Sequence, residues 1–219
     1  MKIAFLHTAD VHVQTFDQLI NNLMDKKTDV QLIHEVHPTW LAEVSRVGIT
    51  SKLRQDVTAL LLHLASNADA VVCTCSSLGP IAQSLGRDNI FRIDEPMMKK
   101  AVINAPVMLA VCLESTRIPS ETLLLQMFEQ QNLQPKFITQ LCSDAWVMFE
   151  SGDMPLFAQA IAQQLEHALT THPDIGCIVL AQASMAAAEP LLQHLNVPVF
   201  TSPQLAAERA LTIAQRNQP

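Results

Sequence analysis

The chain has 219 residues, 49% apolar and only 16% charged, with a formal charge of −7. A chain this long and this apolar can fill a sizeable core, as one large domain or two small ones. Its basic residues form no cluster longer than Lys26-Lys27 or Lys99-Lys100, which excludes a nucleic-acid partner, because phosphate neutralisation needs a concentrated basic face. No apolar run approaches the ~18 residues of a membrane span. The opening Met1–His7 turns polar too soon for a signal peptide. A soluble cytoplasmic protein without membrane contact is expected.

Short apolar runs alternate with helix-length segments along the chain. Strands are expected at Lys2–His7, Asp29–Ile33, Ala70–Cys75, Asn89–Ile93, Val107–Leu113, Lys136–Leu141, Gly176–Ala181 and Val197–Thr201. Helices are expected at Val13–Asp25, Ser51–Ser66, Leu78–Ser84, Pro96–Asn104, Ser120–Gln131, Pro155–Thr171, Met185–Leu195 and Pro203–Gln215. Proline near several helix starts suits the first helical turn. Such alternation means parallel strands with crossover helices. Four strands precede residue 107 and four follow. The fold class is α/β, as two pseudo-symmetric lobes over residues 1–105 and 106–219. Each lobe is a four-stranded, mainly parallel sheet flanked by helices.

An internal repeat supports the two lobes. Asp69–Cys75 followed by Ser76-Ser77 returns as Ile175–Ala181 followed by Gln182-Ala183-Ser184, an offset of 182 − 75 = 107. Identities at that offset include Val72/Val179, Ser77/Ser184, Leu85/Leu192, Asn89/Asn196 and Pro96/Pro203, in one ungapped run. Each half therefore offers one turn to a shared centre. The first turn carries the Cys75 thiol where the second carries the Gln182 amide.

Parallel strands end in functional loops at their carboxyl edge. Those edges read Thr8-Ala9-Asp10, His34–Pro38, Cys75–Ser77, Asp94-Glu95, Glu114-Ser115-Thr116, Ser143-Asp144, Gln182–Ser184 and Thr201-Ser202. Hydroxyls and amides dominate, with little Lys or Arg. Such a lining suits a small carboxylate held by backbone N–H groups at helix N-termini.

At these residues the chain resembles the aspartate/glutamate/hydantoin racemase superfamily, which includes arylmalonate decarboxylase and maleate isomerase. Its members have two α/β lobes, each giving a Cys after a strand. Cys75-Ser76-Ser77 takes the first position and Ala181–Met185 the second. Ile3–Thr8 and Leu109–Thr116 resemble the two lobe-starting strands. The resemblance implies cofactor-independent proton transfer at the carbon alpha to a carboxylate. A base on one face and an acid on the other allow inversion there. Thiols suit the task because their pKa lies near working pH, and a thiol of lowered pKa is expected at Cys75. Donors around the carboxylate stabilise the developing negative charge; Thr8, Ser76, Ser77, Ser115, Thr116, Gln182, Ala183 and Ser184 are the expected substrate-binding residues.

Gln182 is neither an acid nor a base, so a symmetric two-thiol racemase is not expected. Three readings stay open. Cys75 is the one proton carrier of a decarboxylase or isomerase. A second acid, Asp10, Glu114 or His7, replaces the missing thiol. Or the chain binds a small carboxylate without turning it over. No cofactor is expected, and a homodimer is one assembly the chain could form.

Other readings weigh on the same residues. Cys73 is expected to face the core, with the turn after the strand setting Cys75 apart from it. Cys112, Cys142 and Cys177 read as core thiols. In a cytosolic protein all five cysteines are expected to be reduced. The spacing Cys73-Thr74-Cys75 is not that of a zinc pair, His34 and His37 read as loop residues beside Pro38, and no metal is expected. Glu95 suits the N-terminus of its helix by charge. Met97, Met98 and Met185 fill the core or line a pocket. Trp40 and Trp146, 146 − 40 = 106 apart, read as equivalent residues covering the shared centre.

Overall fold

A computed structural model describes residues 1–24 and 29–217. Its contacts divide the chain into two units. One runs Met1–Asp94 and includes the residues from Pro203 onward; the other is Glu95–Ser202.

The first unit holds β1 (Lys2–His7), α1 (Val11–Leu23), β2 (Gln31–Val36), α2 (Pro38–Val47), α3 (Ser51–Asn67), β3 (Ala70–Cys73), α4 (Gly79–Ser84) and β4 (Ile90–Arg92). The second holds α5 (Glu95–Ala101), a 3₁₀ turn (Val102–Asn104), β5 (Val107–Val111), α6 (Glu114–Gln130), β6 (Phe137–Leu141), α7 (Ser143–Glu150), α8 (Met154–Thr171), β7 (Cys177–Leu180), a 3₁₀ stretch (Ala183–Leu192) and β8 (Val199–Thr201). Helix α9 (Ser202–Arg216) returns to the first unit from Pro203 on.

The two sheets have one topology. Strand order is β2-β1-β3-β4 in the first and β6-β5-β7-β8 in the second, and every pair is parallel. All eight expected strands are present, with ends shifted by up to three residues. The registers measure the repeat. Ile3 pairs with Ala70 as Val107 pairs with Cys177, so the first strands are 107 − 3 = 104 apart and the third strands 177 − 70 = 107 apart. Val71 pairs with Ile90 as Ile178 pairs with Val199, an offset of 199 − 90 = 109. The offset is 107 again where α5 and α9 begin, at Glu95-Pro96 and Ser202-Pro203. The repeat therefore carries gaps that the ungapped reading missed.

The unit boundary falls at Asp94/Glu95, where sequence reading set 105/106. Each unit gains the helix that follows the other's fourth strand. Contacts explain this. In the second unit the Cys177 thiol donates to the Ala101 carbonyl at 3.5 Å, and the Lys100 ammonium lies 5.5 Å from the Phe200 ring centroid. In the first, the Arg209 guanidinium lies 4.5 Å from the Phe91 ring, and the Asn217 amide donates to the Asp69 carbonyl at 3.0 Å.

Four helix assignments change. Helices α2 and α7 occupy segments whose starts, His34–Pro38 and Ser143-Asp144, were read as loop edges. Pro38 is in fact the first helical residue of α2, the position where its missing N–H costs nothing. Helix α6 begins at Glu114, six residues before the expected Ser120, and runs through Pro119. The segment expected as a helix over Met185–Leu195 is a 3₁₀ stretch with Pro190 inside it. The final residue of the expected helix Val13–Asp25 lies outside the described residues.

Period-two alternation sorts β1 between two faces. Ala4 and Leu6 join Val71, Cys73, Leu53, Val57 and Leu61 in one buried cluster. Phe5 and His7 go to the other face, beside Phe16 of α1. In the second unit Met108 and Ala110 join Ile178, Leu180, Phe157, Ile161 and Leu165. Met97, Met98 and Met185 are fully buried, which fits the core-filling reading. Each tryptophan packs beside its own unit's core: Trp40 stacks on His37 at 4.0 Å and Trp146 on Phe149 at 4.5 Å. Leu32 pairs with Ile3 as Phe137 pairs with Val107, an offset of 105 that sets Trp40 against Ala145 rather than Trp146.

Behind Cys75, the first turn of α4 meets a buried ion pair. Arg92 and Asp94 are 1% and 0% exposed. Arg92 Nε and Nη2 donate to the two Asp94 carboxylate oxygens at 2.6 and 2.9 Å, and Nη1 donates to Gln83 Oε1 at 3.2 Å. A Cβ on Gly79 would lie 2.7 Å from Arg92 Nε. The guanidinium is clamped on three sides and has no room to yield. Gly79→Ala is therefore expected to lower stability by about 1–3 kcal/mol, an overpacking cost, measured as a fall in Tm. Gly86→Ala is a poor control because Gly86 has φ +58°; an exposed helix position such as Gln204 serves better.

Candidate functional site

The carboxyl edge of the first sheet is closed by one joint. The Leu6 carbonyl accepts both the N–H and the hydroxyl of Thr74, each at 2.9 Å. This places Thr74 beside β1 and delivers Cys75 next to Thr8. The Thr8 hydroxyl and the backbone N–H groups of Leu78 and Ser77 face the Cys75 sulfur and favour its thiolate, and the Leu78 N–H donates to the Cys75 carbonyl at 3.1 Å. Thr8, Ser76 and Ser77 are all buried, and Cys75 is 6% exposed.

Burial pushes the Cys75 thiol up, and the Asp94 carboxylate adds to this; the three donors pull the other way. The net direction is upward, against the lowered pKa expected from sequence. Desolvation disfavours the thiolate, and here it outweighs the donors. Cys75 also packs in the same cluster as Cys73, although β3 ends at Cys73. The expected separation of the two thiols by the turn does not occur. Cys73 is fully buried and its thiol is pushed far up, first by burial. Cys112, Cys142 and Cys177 are buried core thiols, the last two pushed up to about 12.

A polar chain that sequence reading largely missed lies on the other face of the sheet. His7 Nδ1 meets Thr74 Oγ1 at 2.8 Å, His7 Nε2 meets His34 Nδ1 at 2.8 Å, and His34 Nε2 meets Asp17 Oδ1 at 3.2 Å. Since the Thr74 hydroxyl gives its hydrogen to Leu6, it accepts from His7. Hydrogen-bond matching therefore assigns His7 the Nδ1–H tautomer, with Nε2 accepting from His34. His34 lies in β2, a correction to its reading as a loop residue. The rings stack on Phe5 at 5.8 Å for His7 and 5.2 Å for His34. His7 is pushed down to about 3, by burial and then by the charges of His12 and His34. Burial pushes His12 down to about 4. The signal for this chain was period two: His7 follows Ile3 and Phe5 on one strand face.

The second sheet has the matching joint. The Ala110 carbonyl accepts the Ala181 N–H at 3.0 Å. Residue 181 has no hydroxyl, and the next side chain takes over. Gln182 Oε1 accepts the N–H of Cys112 at 2.6 Å and that of Leu113 at 3.3 Å. By strand register Cys112 is the counterpart of Thr8 and Gln182 of Cys75. The same two positions thus touch in both units. Thr116, Gln182, Ala183 and Ser184 are buried and Ser115 is half-buried.

The two carboxylates considered as second acids are placed otherwise. Asp10 is exposed at the start of α1, with no cap hydrogen bond from its side chain. Glu114 is exposed in the first turn of α6 and accepts from Arg117 Nε at 2.7 Å. That hydrogen bond holds its carboxyl below the usual range.

No family model matches the sequence, and none of the curated proteins does. Solved structures do match. Over 97% of this chain and 94% of the other, the fold is similar to an aspartate racemase from Picrophilus torridus, with TM-score 0.67 and 14% identity. A glutamate racemase from Francisella tularensis, in complex with D-glutamate, matches over 99% and 81%, with TM-score 0.68 and 13% identity. A glycine-to-cysteine variant of arylmalonate decarboxylase matches over 100% and 95%, with TM-score 0.65 and 13% identity. The chain shares the two-sheet, all-parallel α/β fold of these solved structures. Among the described residues no helix is long and apolar enough to cross a membrane.

The buried histidines set a pH dependence. Both have folded pKa values below the ordinary 6.5, so below that pH the unfolded chain binds more protons than the folded one. Stability is complete above about pH 6.5 and is lost as pH falls towards 4 and then 3. The loss is on the order of a few kcal/mol by pH 4. Urea midpoints across pH 4–8 should show it, and His12→Leu should flatten the slope below pH 6.

Proposed function

We propose that this chain is a cofactor-independent enzyme that delivers one proton to the carbon alpha to a carboxylate, with Cys75 as the acid. The observation that supports this is the Cys75 sulfur, ringed by the Thr8 hydroxyl and two backbone N–H groups while burial keeps it protonated. A thiol pushed up stays protonated through neutral pH and so holds the proton to be delivered, as a weaker acid than an ordinary thiol. Gln182, at the equivalent position, cannot exchange a proton. One-sided proton delivery fits a decarboxylase or an isomerase better than a racemase. With a 2-substituted malonate, the bond to one carboxylate breaks and CO2 leaves. The electron pair stays as an enediolate, and the Cys75 S–H protonates it; water then restores the thiol. Hydroxyls of Thr8, Ser76 and Ser77, beside Cys75 in the first unit, are the proposed donors to the carboxylate.

One observation favours a second reading, a protein that binds a carboxylate without turnover: the thiol is pushed up and not down. Solvent deuterium separates the two. Amino acids, hydroxy acids and substituted malonates are incubated in deuterated water and followed by NMR and chiral chromatography. An enzyme should give a singly deuterated product of one hand. Cys75→Ser should lose turnover by several orders of magnitude while binding persists, because a serine hydroxyl is a far weaker acid than a thiol. The wild-type rate should stay flat through neutral pH and fall only above the ordinary thiol range. Binding with no deuterium uptake from any substrate would establish the silent reading, and equal rates for wild type and Cys75→Ser would remove Cys75 from the reaction.

A further inference from the structure

Gln182 has lost the chemistry of its counterpart but not its order. The residue is nine-tenths buried. Oε1 is held by two converging N–H groups, at 2.6 and 3.3 Å. Backbone N–H groups only donate, so the atom they meet is the amide oxygen and the amide nitrogen is fixed opposite. Among the described residues Nε2 has no hydrogen-bond partner. Nor is it one of the unpartnered side-chain atoms sealed from solvent, which are His37 Nε2, Ser120 Oγ and Ser202 Oγ. A buried amide therefore presents two N–H bonds, in a fixed direction, to the accessible edge of the second sheet.

We infer that Gln182 is a binding donor for one oxygen of a small carboxylate, converting this position from proton transfer to anion recognition. This rests on the proposed α-carboxylate chemistry for the class of ligand, and the donor itself belongs to the second unit alone. Three features favour an anion over a neutral carbonyl. The two N–H groups on Oε1 polarise the amide and strengthen its own N–H donors. Those N–H groups belong to the residues just before Glu114, where the 17-residue α6 begins and the helix field is positive. The exposed Glu114 nearby is already paired with Arg117, which offsets its charge.

Gln182→Glu tests the donor without breaking the joint. A carboxylate oxygen still accepts both N–H groups, and a negative charge suits the start of a helix, so Tm should hold. What changes is the outward group, from a donor to a charged acceptor. The probe is malonate, with malonamide as its neutral counterpart, and binding is measured by calorimetry. Wild type should bind malonate and bind malonamide at least about tenfold more weakly. Gln182→Glu should bind malonate about tenfold or more weaker than wild type at pH 8, through one lost hydrogen bond and one like charge. The ratio of variant to wild-type Kd should close as pH falls towards the glutamate range near ~4.3, because a protonated carboxyl is again a donor. Gln182→Met, with no donor at any pH, should show a ratio that does not close. Equal malonate affinity for wild type and Gln182→Glu at pH 8, a pH-independent ratio for that variant, equal binding of malonate and malonamide, or no malonate binding by wild type each overturns the inference. Binding needs no turnover. Failure of the proton-transfer reading would therefore appear as absent deuterium uptake with this pattern intact.

Discussion

The first site depends on the Leu6 carbonyl. It takes both hydrogens that Thr74 can give, and so fixes where β3 stops and which way the chain leaves it. With the hydroxyl of Thr74 committed to Leu6, His7 has one acceptor to find, and its other nitrogen turns to His34. One backbone oxygen thereby sets a tautomer, links three strands and aligns Thr8 with Cys75. Buried polar chains of this kind are stable only when every member is satisfied. His7 meets that condition by staying neutral, which its burial enforces.

The second unit solves the same problem with different atoms. Ala110 accepts from Ala181 as Leu6 accepts from Thr74. Without a hydroxyl at 181 there is no side-chain link across the strands, and the histidine positions have no counterparts: by register Val111 stands for His7 and Thr139 for His34. The longer Gln182 side chain spans the joint and ties Cys112 and Leu113. A cysteine here has no side-chain oxygen and a side chain too short to span the joint in the same way. The exchange of Cys for Gln therefore has a structural consequence as well as a chemical one. It orders the start of α6 where the first unit relies on a hydroxyl and a histidine pair.

Strand positions and the presence of two similar α/β units were legible because they rest on apolar runs and turn residues, which act locally. Ala70–Cys73 and Cys177–Leu180 could be aligned by eye and proved equivalent by register. The pairing of positions 8 with 75 and 112 with 182 was not legible, because it depends on an offset of 104 in one strand and 107 in the other. A single-offset repeat cannot show that. Asp10 and Glu114 were chosen for their place in the chain, yet helix starts α1 and α6 put both carboxylates at the surface. The direction of the Cys75 shift was misread for a physical reason: spacing reveals donors, but not how much water the fold removes. His34 was hidden by the expectation of a loop before Pro38, where β2 runs on to Val36.

One local difference between the units bears directly on the thiol. After β8, α9 starts at once at Ser202, whereas after β4 two residues, Ile93 and Asp94, precede α5. These two residues bring the offset from 109 at β4 and β8 back to 107 at α5 and α9, and they include the partner of Arg92. A buried ion pair is weak evidence for stability, because desolving two charges costs about as much as their attraction returns. Its clearer effect here is on charge near the sulfur. The Asp94 carboxylate raises both Cys75 and Cys73, and Arg92 offsets it only at Cys73. Burial remains the first cause of the upward shift at Cys75, and the carboxylate of Asp94, one of the two residues in that gap of the repeat, adds to it in opposing thiolate formation.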